Sequence, residues 1–139
     1  MADIYIVGLQ EMVKLGTKEV VIGKDKQRAK LWETIIQNSL GSEYIPITMK
    51  TMVGCFIVMF AKVEHKHKIK NIRKVKVKTG FSGMTGNKGS VALRFNFENT
   101  SFAFINNHLE SGQNALNERL ENVRQIYNET FNDFSVAQT

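Results

Sequence analysis

Apolar and polar positions follow two periods along this chain, and each period predicts one kind of element. Strands are predicted where apolar residues run continuously or alternate with polar ones. These stretches are Asp3–Leu9, Tyr44–Met52, Val53–Val63, Lys74–Lys78, Gly89–Phe97 and Thr100–His108. Helices are predicted where apolar residues recur every three or four positions, at Asp25–Leu40 and Gln113–Phe131. The order β-α-β-β-β-β-β-α predicts an α/β (α+β) fold built mainly on antiparallel sheet, with two helices.

Two of the predicted strands are nearly continuous apolar runs, which is typical of strands buried on both faces. They are Asp3–Leu9 and Val53–Val63. Cys55 lies in the second run and is followed by six apolar residues rather than by a polar loop with an arginine, so it is predicted to pack in the core. Pro46, the only proline, favours an edge position for its strand.

The helical stripes predict which side chains face the core. In the first helix Asp25 is placed to cap the N-terminus, and Trp32, Ile36 and Leu40 share one face. Trp32 is therefore expected to anchor the helix in the core. In the second helix the apolar stripe consists of Leu116, Leu120, Val123 and Tyr127.

The net charge of +6 is concentrated in one segment of the 139 residues. Residues 62–78 carry eight lysines and arginines against one acid, Glu64, which gives this segment a charge of +7 and the rest −1. Within it, Lys74, Lys76 and Lys78 alternate with valines and share one face of a strand. The pattern is compatible both with a solvated, protected edge strand and with a surface that docks on an anionic membrane.

Between two strands, Gly80–Gly89 contains four glycines and is predicted to be a mobile loop. Its backbone N–H groups could approach an anion, and Asn87 and Lys88 add a neutral donor and a positive charge. The glycine spacing does not match a nucleotide-binding motif, and a plain hairpin loop is the alternative. Phe81 and Met84 are expected at the exposed tip, where they could touch lipid.

Polar residues follow apolar strands at two positions that could carry chemistry. Glu11 comes directly after the first strand, where a carboxylate could bind a metal ion or simply be solvated. His108 closes the last strand, and a lone histidine there is either structural or catalytic. Arg119 lies off the apolar stripe of its helix and could reach a cleft or pair with a neighbouring glutamate.

Four short motifs, in order along the chain, carry a family resemblance. They are Ile6–Val13, Lys78–Ala92 with its Gly86-Asn87-Lys88-Gly89 core, Asn107–Leu109, and Ser111–Gln113 followed by Glu118-Arg119. Together they resemble the catalytic domain of the inositol polyphosphate 5-phosphatases, with the synaptojanin type most similar. That family belongs to the endonuclease/exonuclease/phosphatase superfamily, so the resemblance implies part of a four-layer α/β sandwich.

The resemblance also implies roles for individual residues. It implies a Mg²⁺ ligand at Glu11 and a contact between His108 and the scissile phosphate or its leaving group. Asn87 and Lys88 would lie at the rim of the substrate cleft, and Arg119 would contribute to substrate binding. The implied partners are a phosphoinositide lipid or a soluble inositol phosphate and an anionic membrane surface, near which Phe81 and Met84 would lie. The charge alternation described above adds Lys74, Lys76 and Lys78 as candidate membrane contacts.

The resemblance covers only the N-terminal part of the family's domain. The family's Gly-Asp-x-Asn segment, whose aspartate activates water, does not occur in these residues. We therefore expect residues 1–139 to be a partial catalytic domain that binds Mg²⁺ weakly and is inactive alone. We also expect one face of the sheet formed by Asp3–Leu9 and Val53–Val63 to lack cover, which would promote self-association.

Two other functions are compatible with the sequence. The chain could be a non-catalytic module that holds anionic membranes through residues 62–78, or a nuclease-like relative in the same superfamily, although no nucleic acid is expected. A single cysteine fits a reducing compartment, and no apolar run approaches the roughly 18 residues of a membrane span. The sequence therefore predicts a cytoplasmic protein peripheral to membranes.

Overall fold

A computed structural model of the chain describes residues 2–12, 24–80 and 85–132. The strands are β1 (Ile4–Leu9), β2 (Tyr44–Met52), β3 (Cys55–Lys62), β4 (Ile69–Gly80), β5 (Thr85–Phe97) and β6 (Thr100–His108). The helices are α1 (Lys24–Leu40) and α2 (Leu116–Glu129), and a 3₁₀ turn covers Val63–Lys68. The predicted order of elements and the mainly antiparallel fold class are confirmed.

The strands form two antiparallel sheets that stack face to face. The first has the order β1-β3-β2 and the second β4-β5-β6. In the stack β2 lies beside β4, and β1 lies beside β6. We call these two open sides of the sandwich the β2/β4 side and the β1/β6 side. With α1 on the first sheet and α2 on the second, the described residues form four layers.

The central strand β3 is apolar throughout because both of its faces are covered. One set of alternate residues, Cys55, Ile57, Met59 and Ala61, packs against the second sheet. The other set, Phe56, Val58 and Phe60, packs beneath α1. Cys55 is fully buried, which confirms its predicted packing role. Pro46 lies on the edge strand β2 next to a register shift, as its missing N–H requires.

Helix α1 covers the first sheet with only part of the predicted face. Ala29 is fully buried, with Ile36 and Leu40 packed partly beneath the helix. Trp32 is 39% exposed, so its prediction as a core anchor is wrong. The helix is rotated so that the small Ala29 meets the sheet, which allows a close approach. Asp25 lies inside the helix, which already includes Lys24, rather than before it.

Helix α2 is also rotated relative to its apolar stripe. Leu116, Leu120, Val123 and Tyr127 are between 45% and 82% exposed, and the buried residue of this helix is Ile126. Hydrogen bonds from the neighbouring face fix the rotation: Asn122 Oδ1 accepts from the Glu110 N–H, and Gln125 donates to the Lys78 carbonyl. Among the described residues, no helix has the length and apolar character needed to span a bilayer.

Strand β1 is half-buried rather than fully buried, because among the described residues it pairs only with β3. At the central strand β3 both faces of this sheet are covered, so the predicted uncovered face is not found there. The open apolar surface lies instead at the β1/β6 side, in a groove of about 510 Å³. It is lined mainly by Ile4, Tyr5, Ile6, Phe95, Phe97, Phe102 and Phe104. The rings of Phe95, Phe102 and Phe104 are stacked.

Candidate active site

Three ionisable side chains from different strands meet at one end of the β1/β6 side. Glu11 follows β1, His108 closes β6 and Lys88 lies on β5. His108 Nε2 lies 3.4 Å from Glu11 Oε1 and 3.3 Å from Lys88 Nζ. Gly89 pairs with His108 in the ladder, so the backbone of the adjacent Lys88 is one position away from that of the histidine. The structure thus brings together the acid and the histidine that the sequence singled out.

Burial differs sharply among the three groups. Lys88 and His108 are each 7% exposed, whereas the side chain of Glu11 is 76% exposed. His108 Nδ1 is buried with no hydrogen-bond partner among the described residues. A buried ammonium group without enough counter-charge favours an anion nearby, because charges interact strongly where water is excluded. The cluster therefore suits an anionic group that enters past the exposed carboxylate of Glu11.

Glu11 has a backbone conformation that glutamate rarely adopts. Its φ is +56°, in the left-handed region, which costs a residue with a Cβ about 1 kcal/mol. The next residue is held on both sides: the Met12 N–H donates to the Gly54 carbonyl at 3.1 Å, and Arg28 Nη1 donates to the Met12 carbonyl at 3.0 Å. Such backbone strain is typical of functional positions.

A partly buried amide joins the two sheets next to this cluster. Asn106 Nδ2 donates to the carbonyls of Leu9 and Phe56, both at 2.9 Å. The side-chain amide of Gln10 donates to the Asn107 carbonyl. These bonds fix the end of β1 relative to the end of β6, and so set the distance between Glu11 and His108. Asn106 was not among the predicted site residues; a polar residue at an inward-facing strand position was the available signal.

Gly89 is a position where only glycine fits. Its φ is +135°, and an added Cβ would lie 2.0 Å from the Val77 carbonyl oxygen. The prediction of one loop over Gly80–Gly89 is wrong in the described part, because β4 continues through Gly80 and β5 begins at Thr85. The ladder pairs Gly80 with Thr85 and Lys78 with Gly89. Cross-strand pairing therefore overrides the local freedom of the glycines.

The remaining predicted site residues are placed as follows. Asn87 is half-buried on β5, and Lys88 is buried against His108; their place at the rim of a substrate cleft stays a prediction. Arg119 donates to the carbonyls of Gly112 at 2.7 Å and Glu110 at 3.4 Å, so its guanidinium ties α2 to the preceding loop. Its role in substrate binding stays a prediction. Phe81 and Met84 lie outside the described residues.

Some lysines of the basic segment, residues 62–78, form ion pairs with acidic side chains. Lys62 pairs with Asp3 and Lys68 pairs with Glu98, each at 2.9 Å. The hydrogen bond from Lys62, followed by its positive charge, holds the pKa of Asp3 below the usual value. On β4 the predicted alternation is confirmed, since Lys74, Lys76 and Lys78 are exposed while Val77 is buried. Their contact with membrane lipid stays a prediction.

Comparison with known proteins places this geometry in a family. The sequence model of the Endonuclease/Exonuclease/phosphatase family 2 matches residues 1–138. Inositol-1,4,5-trisphosphate 5-phosphatase 1 of Schizosaccharomyces pombe is 37% identical over 132 residues, which is 91% of this chain and 12% of that protein. Synaptojanin-2 of Rattus norvegicus is 39% identical over 127 residues, which is 90% of this chain and 8% of that protein. The chain belongs to Endonuclease/Exonuclease/phosphatase family 2.

A solved structure agrees with this assignment. It is the inositol polyphosphate 5-phosphatase domain of SPsynaptojanin in complex with inositol (1,4)-bisphosphate and a calcium ion. The TM-score is 0.75 at 32% identity, over 93% of this chain and 37% of that chain. The fold is that of the inositol polyphosphate 5-phosphatase domain, and relatives of this chain are named as enzymes of that activity. The chain spans about a third of the solved domain and about a tenth of its full-length relatives.

Proposed function

We propose that this chain is part of a catalytic domain that removes the 5-phosphate from phosphoinositides or inositol polyphosphates, with Mg²⁺ as cofactor. The observation that carries the proposal is the meeting of Glu11, Lys88 and His108 at one end of the β1/β6 side. A cluster with one exposed carboxylate and two buried nitrogens suits a phosphate that is bound together with a cation.

The residues present fit Mg²⁺. This hard cation prefers oxygen ligands, keeps several waters and typically takes only one or two carboxylates, with substrate phosphates completing the shell. Glu11 offers an exposed carboxylate whose backbone is held in place by the bonds around Met12. When bound, the cation would polarise the phosphoryl oxygen and stabilise the leaving oxygen.

The chain's own side chains have complementary tasks in the proposed hydrolysis. A water oxygen bonds to phosphorus, the bond between phosphorus and the inositol oxygen breaks, and that oxygen leaves with a proton as a hydroxyl group. Lys88 holds positive charge next to the phosphoryl oxygens, and His108 donates a hydrogen bond or a proton as negative charge develops. Asn106 keeps the strands that carry Glu11 and His108 in register.

The 139 residues contain no Gly-Asp-x-Asn segment to activate water, so the chain alone is expected to be inactive. The test is a chimera in which this chain replaces the matching part of the solved SPsynaptojanin domain. The chimera should release phosphate from phosphatidylinositol 4,5-bisphosphate with Mg²⁺. His108→Ala in the chimera should reduce kcat by about 100-fold or more.

His65 provides the matched control for this experiment, because it is a partly buried histidine that pairs with Asp3 and Glu64 away from the cluster. His65→Ala in the chimera should leave kcat within about twofold of the parent. Rapid turnover by the chain alone, or an active chimera that tolerates His108→Ala, would contradict the proposal.

A second candidate function is that of a non-catalytic module that binds anionic membranes through residues 62–78. It is favoured by the exposure of Lys74, Lys76 and Lys78 on one edge strand. Such a module would be peripheral to cytoplasmic membranes. Co-sedimentation with phosphatidylserine vesicles tests it: reversing these three charges should abolish binding of a module, but should leave hydrolysis of a soluble inositol phosphate by the chimera unchanged.

A further inference from the structure

Three lysines converge on the β2/β4 side, away from the candidate active site. Lys50 on β2 pairs with Ile57, whose side chain lies in the core between the sheets. Lys74 and Lys76 on β4 pair with core residues of β5. Paired residues in an antiparallel ladder point to the same face of a sheet. All three lysines therefore project from inward-facing positions into the gap between the two edge strands.

Among the described residues, these lysines have no acidic partner. In the described part of the chain, no carboxylate forms an ion pair with Lys50, Lys74 or Lys76. Burial, followed by the charges of Lys76 and Lys74, lowers the pKa of Lys50 below its usual value. Neighbouring like charges repel each other, so this arrangement favours a bound anion that would offset the repulsion.

A groove at the same place could receive such an anion. It measures about 330 Å³ and is lined by Lys26, Ala29, Met49, Lys50, Thr51 and Lys76. This volume is within the range of small-molecule sites. Lys26 of α1 also lines the groove and adds a further positive charge to the field of the lysines.

We propose that this groove binds a molecule carrying two or more phosphomonoester groups, at a site separate from Glu11, Lys88 and His108. Gly8, Ile57 and Lys50 lie in one row across the first sheet, which puts Lys50 two strand spacings, about 10 Å, from β1. Several ammonium groups with no carboxylate partner among the described residues suit phosphate dianions. The site does not depend on the hydrolysis proposed above.

The concave shape distinguishes this site from a flat membrane-docking surface. Lys50 is half-buried between the strands, whereas Lys74 and Lys76 are exposed. A flat lipid surface would meet the exposed lysines, but only a group that enters the groove can reach Lys50. The matching chemistry is a phosphorylated inositol ring, either as a soluble inositol phosphate or as a lipid headgroup that extends from the bilayer.

The test is titration of the ¹⁵N-labelled 139-residue chain with inositol 1,4,5-trisphosphate in EDTA, followed by NMR. The amides of Ala29, Thr51 and Lys76 should shift saturably. The double variant Lys50→Gln/Lys76→Gln should weaken this binding by about tenfold or more. The matched control is Lys66→Gln/Lys70→Gln, which removes the same charge from exposed positions of the basic segment and should change affinity by less than about twofold.

Three results would overturn the proposal. They are an equal loss of affinity in the two double variants, amide shifts confined to Glu11, Lys88 and His108, and the absence of any saturable amide shift. The single variant Lys76→Gln, at an exposed position, repeats the test if the double variant does not fold. Vesicles containing phosphatidylinositol 4,5-bisphosphate identify the source of the phosphates. Binding of both probes, weakened in Lys50→Gln/Lys76→Gln, supports a site open to lipid headgroups. Binding of the soluble probe alone supports a soluble ligand. Binding of vesicles without binding of the soluble probe would contradict the proposed binding site in the groove.

Discussion

The two open sides of the sandwich are built alike but differ in chemistry. Strands β4 and β6 flank β5 on either side, and Leu93 of β5 pairs with Lys74 on one and with Phe104 on the other. Inward-facing positions thus carry lysine at the β2/β4 side and phenylalanine at the β1/β6 side. The result is a lysine-lined groove on one side and an apolar groove on the other.

The outer strands, rather than the core strands, therefore decide which kind of ligand each side can bind. The lysines keep the β2/β4 side hydrated and protect its strand edges against pairing with other chains. The phenylalanines leave apolar surface at the β1/β6 side, and the cluster of Glu11, Lys88 and His108 lies at one end of that side. Variants that act on one side, or on both at once, can test this division.

The largest effect is expected from Gly89→Ala, which should damage both sides because β5 lies between them. The new Cβ would lie 2.0 Å from the Val77 carbonyl oxygen at a φ of +135°. Relief requires breaking the β4–β5 ladder, so the loss in free energy of unfolding should be on the order of 4 kcal/mol, or the chain should not fold. Urea denaturation followed by circular dichroism measures the loss.

Gly41→Ala is the control for this substitution. Gly41 also has a positive φ, +91°, but no described atom lies within 4 Å of an added Cβ. Only the backbone preference is lost there, at a cost of about 1 kcal/mol. Similar losses at the two glycines would show that the contact with Val77 is unimportant.

Asn106→Leu should act on the β1/β6 side alone. It leaves the carbonyls of Leu9 and Phe56 without their donor, at an expected cost of about 2 kcal/mol in the free energy of unfolding. Binding at the lysine groove should persist. Asn96→Leu serves as control, because it removes only an exposed hydrogen bond from Ser101. An equally large loss in free energy of unfolding for Asn96→Leu would argue against a special role of the Asn106 amide.

Phe102→Ser tests the apolar groove. Phe102 is 39% exposed and lines the groove, so the variant should lower the fluorescence of a bound hydrophobic dye by about half and cost about 1 kcal/mol in stability. Tyr127→Ser removes an aromatic ring that is 82% exposed on α2 and should leave dye binding unchanged. Loss of dye binding only in the Tyr127 variant would locate the open apolar surface on α2.

The smallest effect, of opposite sign, is expected on the β2/β4 side. Lys50→Met removes an amino group whose pKa is lowered mainly by burial, so the free energy of unfolding at pH 7 should rise. Solvent screening limits this gain to about 0.5 kcal/mol. The unsubstituted protein is destabilised only while Lys50 is charged. The difference in free energy of unfolding between the two proteins should therefore shrink as the pH rises towards 10.5. Thermal unfolding of both proteins across this pH range is the measurement. A lower stability of the variant would contradict the inferred repulsion.

Local patterns predicted much of the fold, because strand alternation and apolar runs are encoded by adjacent residues. The strand bounds of β2 and β6 and the central position of β3 followed directly. Helix rotation did not, because the positions of Trp32 and Ile126 depend on which partner surface each helix meets. The strand over Gly86–Gly89 was missed for the same reason, since its partners lie on β4 and β6.

The candidate site was predicted only in outline. Glu11 and His108 could be paired because both stand at strand ends and in motifs of one family. The burial of Lys88 against His108, and the bridge made by Asn106, depend on the stacking of two sheets that are distant in sequence. Such contacts leave only a faint trace in the sequence, a polar residue at a position where apolar ones alternate.

The left-handed backbone of Glu11 has an evolutionary consequence. Glycine and asparagine adopt a φ near +56° more readily than glutamate, so a random library screened only for heat resistance should enrich those two residues at position 11. Retention of glutamate in natural homologues would then record selection for its carboxylate rather than for folding. Codon variation at this single position can therefore separate lineages that still use the site from lineages that have abandoned it.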